Sequence, residues 1–300
     1  MPKGLRGAPS IVLSSMLFAA MAAVARSLSG PLSAGQLSFI RMVVGLAVAI
    51  GIFLVARTGP SFAHPRLLAA RGFLGGIAVA LYFVAIERMD VGPATLLNNT
   101  APAYAALFAA LFLGERLTAR ILAGLAVAMA GAGLVVWSTF EPGRALHIGV
   151  GAAAGILSGV LSGGAVTAIR ALRKDTDTLS VLFSFMLIGS IVTFPMAAIR
   201  PSPAWSLFPG ALLVGVLSVG AQLLLTNAYG FVSTVTGSAM SQLTTVFSWT
   251  LGVTFLGEAV RPVGIAGAAL CIFGVMLTSR ASGRPAAVPE RVEPSPPLVR

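Results

Sequence analysis

The chain has 300 residues, of which 57% are hydrophobic and only 10% charged, with a mean hydropathy of +0.94 and a formal net charge of +11. A soluble domain of this length needs far more charge to cover its surface, so the composition excludes one and defines a polytopic membrane protein. The 20 Lys and Arg are scattered between apolar runs, with Arg173-Lys174 the one adjacent pair, so the positive balance reads as membrane topology, and no nucleic-acid partner is expected.

The first apolar run follows Lys3 and Arg6 and extends to about Leu28. Ala23-Val24-Ala25 resembles a signal-peptide cleavage site. However, Leu13, Ser14, Leu17, Arg26 and Leu28 reappear 144 residues later as Leu157, Ser158, Leu161, Arg170 and Leu172, so the run belongs to the fold. Further runs follow at roughly 35–56, 67–87, 93–113, 118–138, 147–169, 179–199, 208–229, 233–256 and 262–279. Each is long enough to span a bilayer as a helix. The expectation is an all-α protein of ten transmembrane helices, with short connections marked by Gly, Pro and charge, such as Glu141-Pro142-Gly143-Arg144. The tail from Ala281 turns polar, holds five prolines and is expected to be disordered.

An internal repeat organises the chain. Residues 72–134 align without a gap on 215–277, matching Gly72, Ala85, Leu113-Gly114-Glu115, Gly124 and Gly131 to Gly215, Ala228, Leu256-Gly257-Glu258, Gly267 and Gly274. The expected units are a first repeat over 1–140, a second over 141–280, and a tail over 281–300. Five helices is an odd number, so the second copy enters the membrane from the opposite side and the repeats are inverted, an arrangement widespread in secondary transporters. With the N-terminus inside, fourteen Lys and Arg fall on the cytoplasmic side and six on the other, which puts both termini in the cytoplasm. The loop after helix eight, near Gly230, adds nothing to that excess.

Within this frame the chain resembles the ten-helix drug/metabolite transporter superfamily, of the kind built from two EamA domains. The resemblance rests on Phe39-Ile40-Arg41 opening helix two, Arg71-Gly72 opening helix three, Pro102 in helix four and Leu113-Gly114-Glu115-Arg116 closing it. Gly124 and Gly131, with Ala228, Leu256-Gly257-Glu258, Gly267 and Gly274 in the second copy, complete it over about residues 10–280. One departure is that Thr245 stands where the first copy has Pro102, so any kink there is expected to be asymmetric. The resemblance implies a bacterial plasma membrane and, for many relatives, export of amino acids, metabolites or drugs.

The candidate site lies on two polar helix faces. Thr95, Asn98, Asn99 and Pro102 fall at i, i+3, i+4 and i+7 of helix four; Ser238, Ser241, Gln242 and Thr245 occupy the same places in helix nine. Amides and hydroxyls are costly against lipid, so both faces should point into protein or a water-filled path and flank a midplane cavity. The plainer alternative is that they only bond neighbouring helices. Trp249 continues the second face and would stack on a planar or cationic cargo, or else fill a gap between helices. Tyr82, Tyr104 and Gln222 are weaker lining candidates. Arg41, about one turn inside helix two, would bind an anionic group or snorkel to the interface. Glu115 and Glu258 read as ties to the start of the following helix.

Cys271 is the single cysteine, and His64 and His147 are far apart, so no metal site or cofactor is expected. No carboxylate falls at mid-membrane to relay protons. The expected partners are a small-molecule substrate and the lipid bilayer. The Gly151, Gly155 and Gly159 spacing is expected to serve a contact within the chain rather than a homodimer seam, which leaves the oligomeric state open. The reading is a secondary transporter and not an enzyme, exporting a small amino-acid-like, aromatic or drug-like metabolite. The alternatives are an importer of a vitamin or nucleoside-type metabolite and a non-transporting scaffold, which a dry closure of the polar faces would favour.

Overall fold

The structure, a computed structural model, describes residues 3–28, 31–88, 97–138, 149–199, 205–255 and 260–282. Thr95, His147, Glu258, the tail beyond Ser282 and the side chain of Arg26 lie outside the described residues. The described elements are α1 (Lys3–Leu28), α2 (Ala34–Ala56), α3 (Pro65–Arg88), α4 (Ala101–Leu113), α5 (Ala119–Ser138) and α6 (Val150–Leu172). They continue with α7 (Thr178–Ala198), α8 (Phe208–Ala228), α9 (Thr234–Ser241), α10 (Leu243–Phe255) and α11 (Pro262–Ser282). Eight of these are long and apolar enough to cross a membrane, and the protein is a multi-pass helical membrane protein. Helix nine of the sequence reading is two helices, α9 and α10, and helix ten is α11.

Local chemistry sets the helix starts, and the repeat-related α2 and α7 start alike. Ser33 caps α2 through a reciprocal pair, its hydroxyl accepting from Gln36 N (3.2 Å) while Ser33 N donates to Gln36 Oε1 (3.0 Å). The equivalent residue, Asp177, caps α7 by accepting from Ser180 N at 2.9 Å. Pro65 opens α3 and Pro262 opens α11, where the missing N–H costs nothing. Gly114 ends α4 at φ 63°, the left-handed cap that glycine supplies most cheaply.

The helices of the two copies interleave. α3 packs on α6 as α8 packs on α1; α3 packs on α7 as α8 packs on α2; α4 packs on α6 as α10 packs on α1. The equivalent helices α2 and α7, α4 and α9, and α5 and α11 also touch each other. In lipid these contacts rest on close packing, which small residues allow. A methyl group on Gly131 would collide with the backbone of Cys271, and one on Gly274 with the backbone of Ala128. One on Gly267 would stand 2.7 Å from Val135 N. The glycines of α6 serve the same purpose against the start of α4: Gly155 meets Leu97, Gly159 meets Thr100 and Gly163 meets Ala105. That contact lies within the chain. Large apolar side chains such as Val55, Phe112 and Ile265 cover the exposed outer faces, as a bilayer-embedded surface requires.

Candidate functional site

Both polar helices are interrupted, and at equivalent residues. Pro102 has no N–H for the Asn98 carbonyl, so the chain makes a turn at Asn99–Thr100, with Ala103 N donating three residues back to Thr100 O at 3.0 Å. The second copy breaks without a proline. There the Thr245 N–H reaches back three residues to Gln242 O (3.0 Å), and Gln242 N to Ala239 O (3.1 Å), so the helix ends at Ser241 and restarts at Leu243. The asymmetric kink expected from Thr245 is therefore a break in both copies, reached by different means.

The two breaks touch. Gln242 Nε2 donates to Asn99 O at 3.1 Å, and Asn99 Nδ2 donates to Thr245 Oγ1 at 3.0 Å. Asn98 Nδ2 donates to Ser158 Oγ (2.7 Å), which in turn donates to Ala78 O of α3 (2.8 Å). The repeat-related Ser14 donates to Ala221 O of α8 at 2.7 Å, the same bond in the other copy. These two serines were visible in the sequence only as repeat matches. The structure thus brings Asn98, Asn99, Gln242 and Thr245 together around one junction, closed by hydrogen bonds between helices.

The other candidates are placed differently. Ser241 turns to its own helix, donating to Gly237 O at 2.9 Å. Trp249 lies against Gly264, whose added Cβ would stand 2.9 Å from the indole, so it fills the seam between α10 and α11. Gln222 is buried in α8 and donates to Thr226 Oγ1 at 3.4 Å. Tyr82 in α3 packs edge-tilted on Phe83, with ring centroids 5.8 Å apart. Arg41 sits two turns inside α2, deeper than the sequence suggested, and its buried Nε has no hydrogen-bond partner.

Three further residues have surroundings that the sequence reading did not describe. Arg71, read as a cytoplasmic-side cation opening helix three, lies two turns inside α3, 4% exposed. Tyr229, wholly buried, ends α8 with its ring against Gly237 and its hydroxyl 3.4 Å from Ser238 Oγ. Glu115 ties a helix start, but in the other copy: its carboxylate accepts from Thr234 N (2.9 and 3.1 Å) and Thr234 Oγ1 (2.9 Å), capping α9. Arg170 joins this knot, its Nε 3.9 Å from Glu115 and an Nη donating to Tyr229 O at 2.8 Å. The guanidinium of Arg173 lies beside Gly230. The loop near Gly230 lacks cations of its own because the end of α6 supplies them. Long-range partners of this kind leave no trace in local sequence.

An apolar groove of about 420 Å³ runs between α4 and α5, lined by Ala103, Leu107, Leu122 and Met129 among others. It carries no polar group for recognising a solute, so it is not the candidate site. Among the described residues, no group of His, Cys, Asp and Glu is placed to hold a metal ion.

Interleaved apolar helices with a pair of broken helices meeting inside the bundle define a membrane transporter. The chain belongs to the EamA-like transporter family, whose model matches it twice, over residues 5–137 and 149–280. It is 29% identical over 277 residues to the pseudopaline exporter CntI of Pseudomonas aeruginosa (strain UCBPP-PA14), a match covering 90% of this chain and 94% of that protein. It is 30% identical over 251 residues to the "Probable terminal-alkyne amino-acid exporter" of Streptantibioticus cattleyicolor, covering 79% and 80%. It is 25% identical over 284 residues to solute carrier family 35 member G1 of Mus musculus, covering 87% and 74%. A solved crystal structure shares the fold with a TM-score of 0.76 at 22% identity, over 93% of this chain and 98% of that one.

Proposed function

We propose that the protein is a secondary exporter of a small organic metabolite, amino-acid-like, aromatic or drug-like, working by alternating access in a bacterial inner membrane with both termini cytoplasmic. The observation that carries this reading is the direct contact between the two helix breaks, at Asn99 and Gln242. Discontinuous helices at the midplane of inverted repeats expose backbone groups that can bind a solute. The repeated neighbour pattern of α1 to α11 supports the inversion, because five helices per copy reverse the direction of the chain. Arg71 leaves the inside tally of cations and Arg41 the outside one, so the inside excess is unchanged.

Transport then requires the junction to part. Hydrogen bonds between membrane helices contribute about 0.6 kcal/mol each, so separating Asn99 from Thr245 and Gln242 is cheap enough to recur in every cycle. The knot of Glu115, Thr234, Arg170 and Tyr229 closes the end that the inside excess assigns to the cytoplasm. No described acid lies at mid-membrane, so coupling runs through exchange, a facilitated path, or the charge of the cargo.

The scaffold alternative rested on a dry closure of the polar faces. The faces do close here, by direct hydrogen bonds, so what favours transport over a scaffold is the transporter family to which the chain belongs. Proteoliposome counterflow across a panel of amino acids, aromatic acids and nucleosides tests the proposal. At least one amino-acid-like solute is expected to exchange, and both Asn99→Leu and Gln242→Leu, at wild-type expression, to reduce its flux at least tenfold. Unchanged flux in both variants would remove the junction from the site.

A further inference from the structure

Arg71, 4% exposed, and Arg41, whose Nε is buried, stand on the touching helices α3 and α2, and no acid with a described side chain forms an ion pair with either. The Arg71 guanidinium carbon stands 3.8 Å from the centroid of the Phe185 ring, and one Nη lies over Gly75, where no side chain would fit. The Nε atoms of both arginines are buried without a hydrogen-bond partner. The acids whose side chains are described are committed elsewhere: Glu115 to Thr234 and Arg170, Asp177 to Ser180, and Asp175, at the surface, to His64 at 3.7 Å. Burying unpaired cations is strongly unfavourable, and such residues persist inside a membrane protein where function needs them.

The repeat argues against a structural duty. Ser33 and Asp177 cap α2 and α7 at matching positions, and in that register Arg41 corresponds to Phe185. Pro65 and Phe208 open α3 and α8, and in that register Arg71 corresponds to Val214. A cation demanded by the fold would recur in both copies; here the equivalent of Arg41 is the very ring on which Arg71 lies. The ring lies against one face of the guanidinium, while the unpartnered Nε–H lies in the plane in which a guanidinium binds a carboxylate.

We infer that Arg71, with Arg41 beside it, binds a carboxylate of the cargo, so that the substrate is an organic acid or amino acid carried as the missing counter-ion. This rests on the transporter reading above. The test is thermal unfolding of the full chain in a neutral, lipid-free detergent with matched acid and amide pairs in which the amide keeps no carboxylate: phenylalanine and phenylalaninamide, leucine and leucinamide, phenylacetate and phenylacetamide. Inorganic phosphate is included as a separate probe for a headgroup-type anion. At least one acid is expected to raise the midpoint while its amide and phosphate do not. Arg71→Gln should weaken that acid about tenfold or more, the scale of a lost charge-assisted hydrogen bond, and Arg71→Lys by less. Should Arg71→Gln fail to fold, Arg41→Gln is expected to weaken the same acid in the same direction. Equal shifts from acid and amide, no shift from any acid, a phosphate shift matching the best acid, or a folded arginine variant that keeps the full shift would each overturn the inference. Counterflow of a neutral solute that depends on Asn99 and Gln242 would do so while leaving the transporter reading intact.

Discussion

Asn99 holds the junction with two groups: its amide donates to Thr245 and its carbonyl accepts from Gln242. Helical spacing and the 143-residue repeat were enough to single out Asn98, Asn99, Gln242 and Thr245, because amides in apolar runs are costly and must be used. For Trp249 the sequence offered two roles, cargo stacking or filling a gap between helices, and for Arg71 only a helix start. A face assignment assumes one continuous helix, and the break at Gln242 gives the residues beyond it a new phase, which turns Trp249 into the seam with α11. Arg71 read as the opening of helix three, whereas α3 starts at Pro65 and carries it two turns in. Trp249→Phe is accordingly expected to leave counterflow within about twofold of wild type while lowering the unfolding midpoint by a few degrees, the signature of a packing change that keeps an aromatic ring. A flux loss as large as that of Gln242→Leu would return Trp249 to the binding site.

At the scale of elements, most helix boundaries were legible, since apolar length and capping residues such as Ser33, Asp177 and Pro65 announce them directly. The break between α9 and α10 was not, because no proline or glycine marks it and only the diverted Thr245 N–H creates it. The α5–α11 seam makes a sharp prediction. Gly131→Leu forces a side chain into the backbone of Cys271, so folded yield in detergent should collapse, whereas Gly59→Leu, with open space around it, should be neutral. Comparable yields would show that the seam is looser than described. The Glu115 knot is a second case. Ser233 caps α9, and Glu115→Ala removes the carboxylate that accepts from Thr234 at its first residue together with the link to Arg170, at a cost of about 1–3 kcal/mol. The expected consequence is greater accessibility of a cysteine placed at Ser238 to a maleimide added from the cytoplasmic side. Unchanged labelling would mean that the knot stabilises α9 without sealing the path.

At the scale of the molecule, the interleaving of the two copies follows from the repeat only once helices are seen to pack across it, α3 on α6 and α8 on α1. Sequence identity between the copies is too low to say which helix meets which. The like-sign bias of Lys and Arg, by contrast, was readable because it depends on counting and not on contacts. The central claim, that two copies of one five-helix unit cross the membrane in opposite senses, is tested most directly by labelling equivalent loop positions. Ala63 precedes α3 and Ser206 precedes α8, both exposed, at matching places in the two copies. Single cysteines at these sites, in a Cys271→Ala background, are to be probed in spheroplasts with a membrane-impermeant maleimide. Ser206→Cys should react in intact spheroplasts and Ala63→Cys only after lysis; reaction of both from the same side would contradict the inverted arrangement.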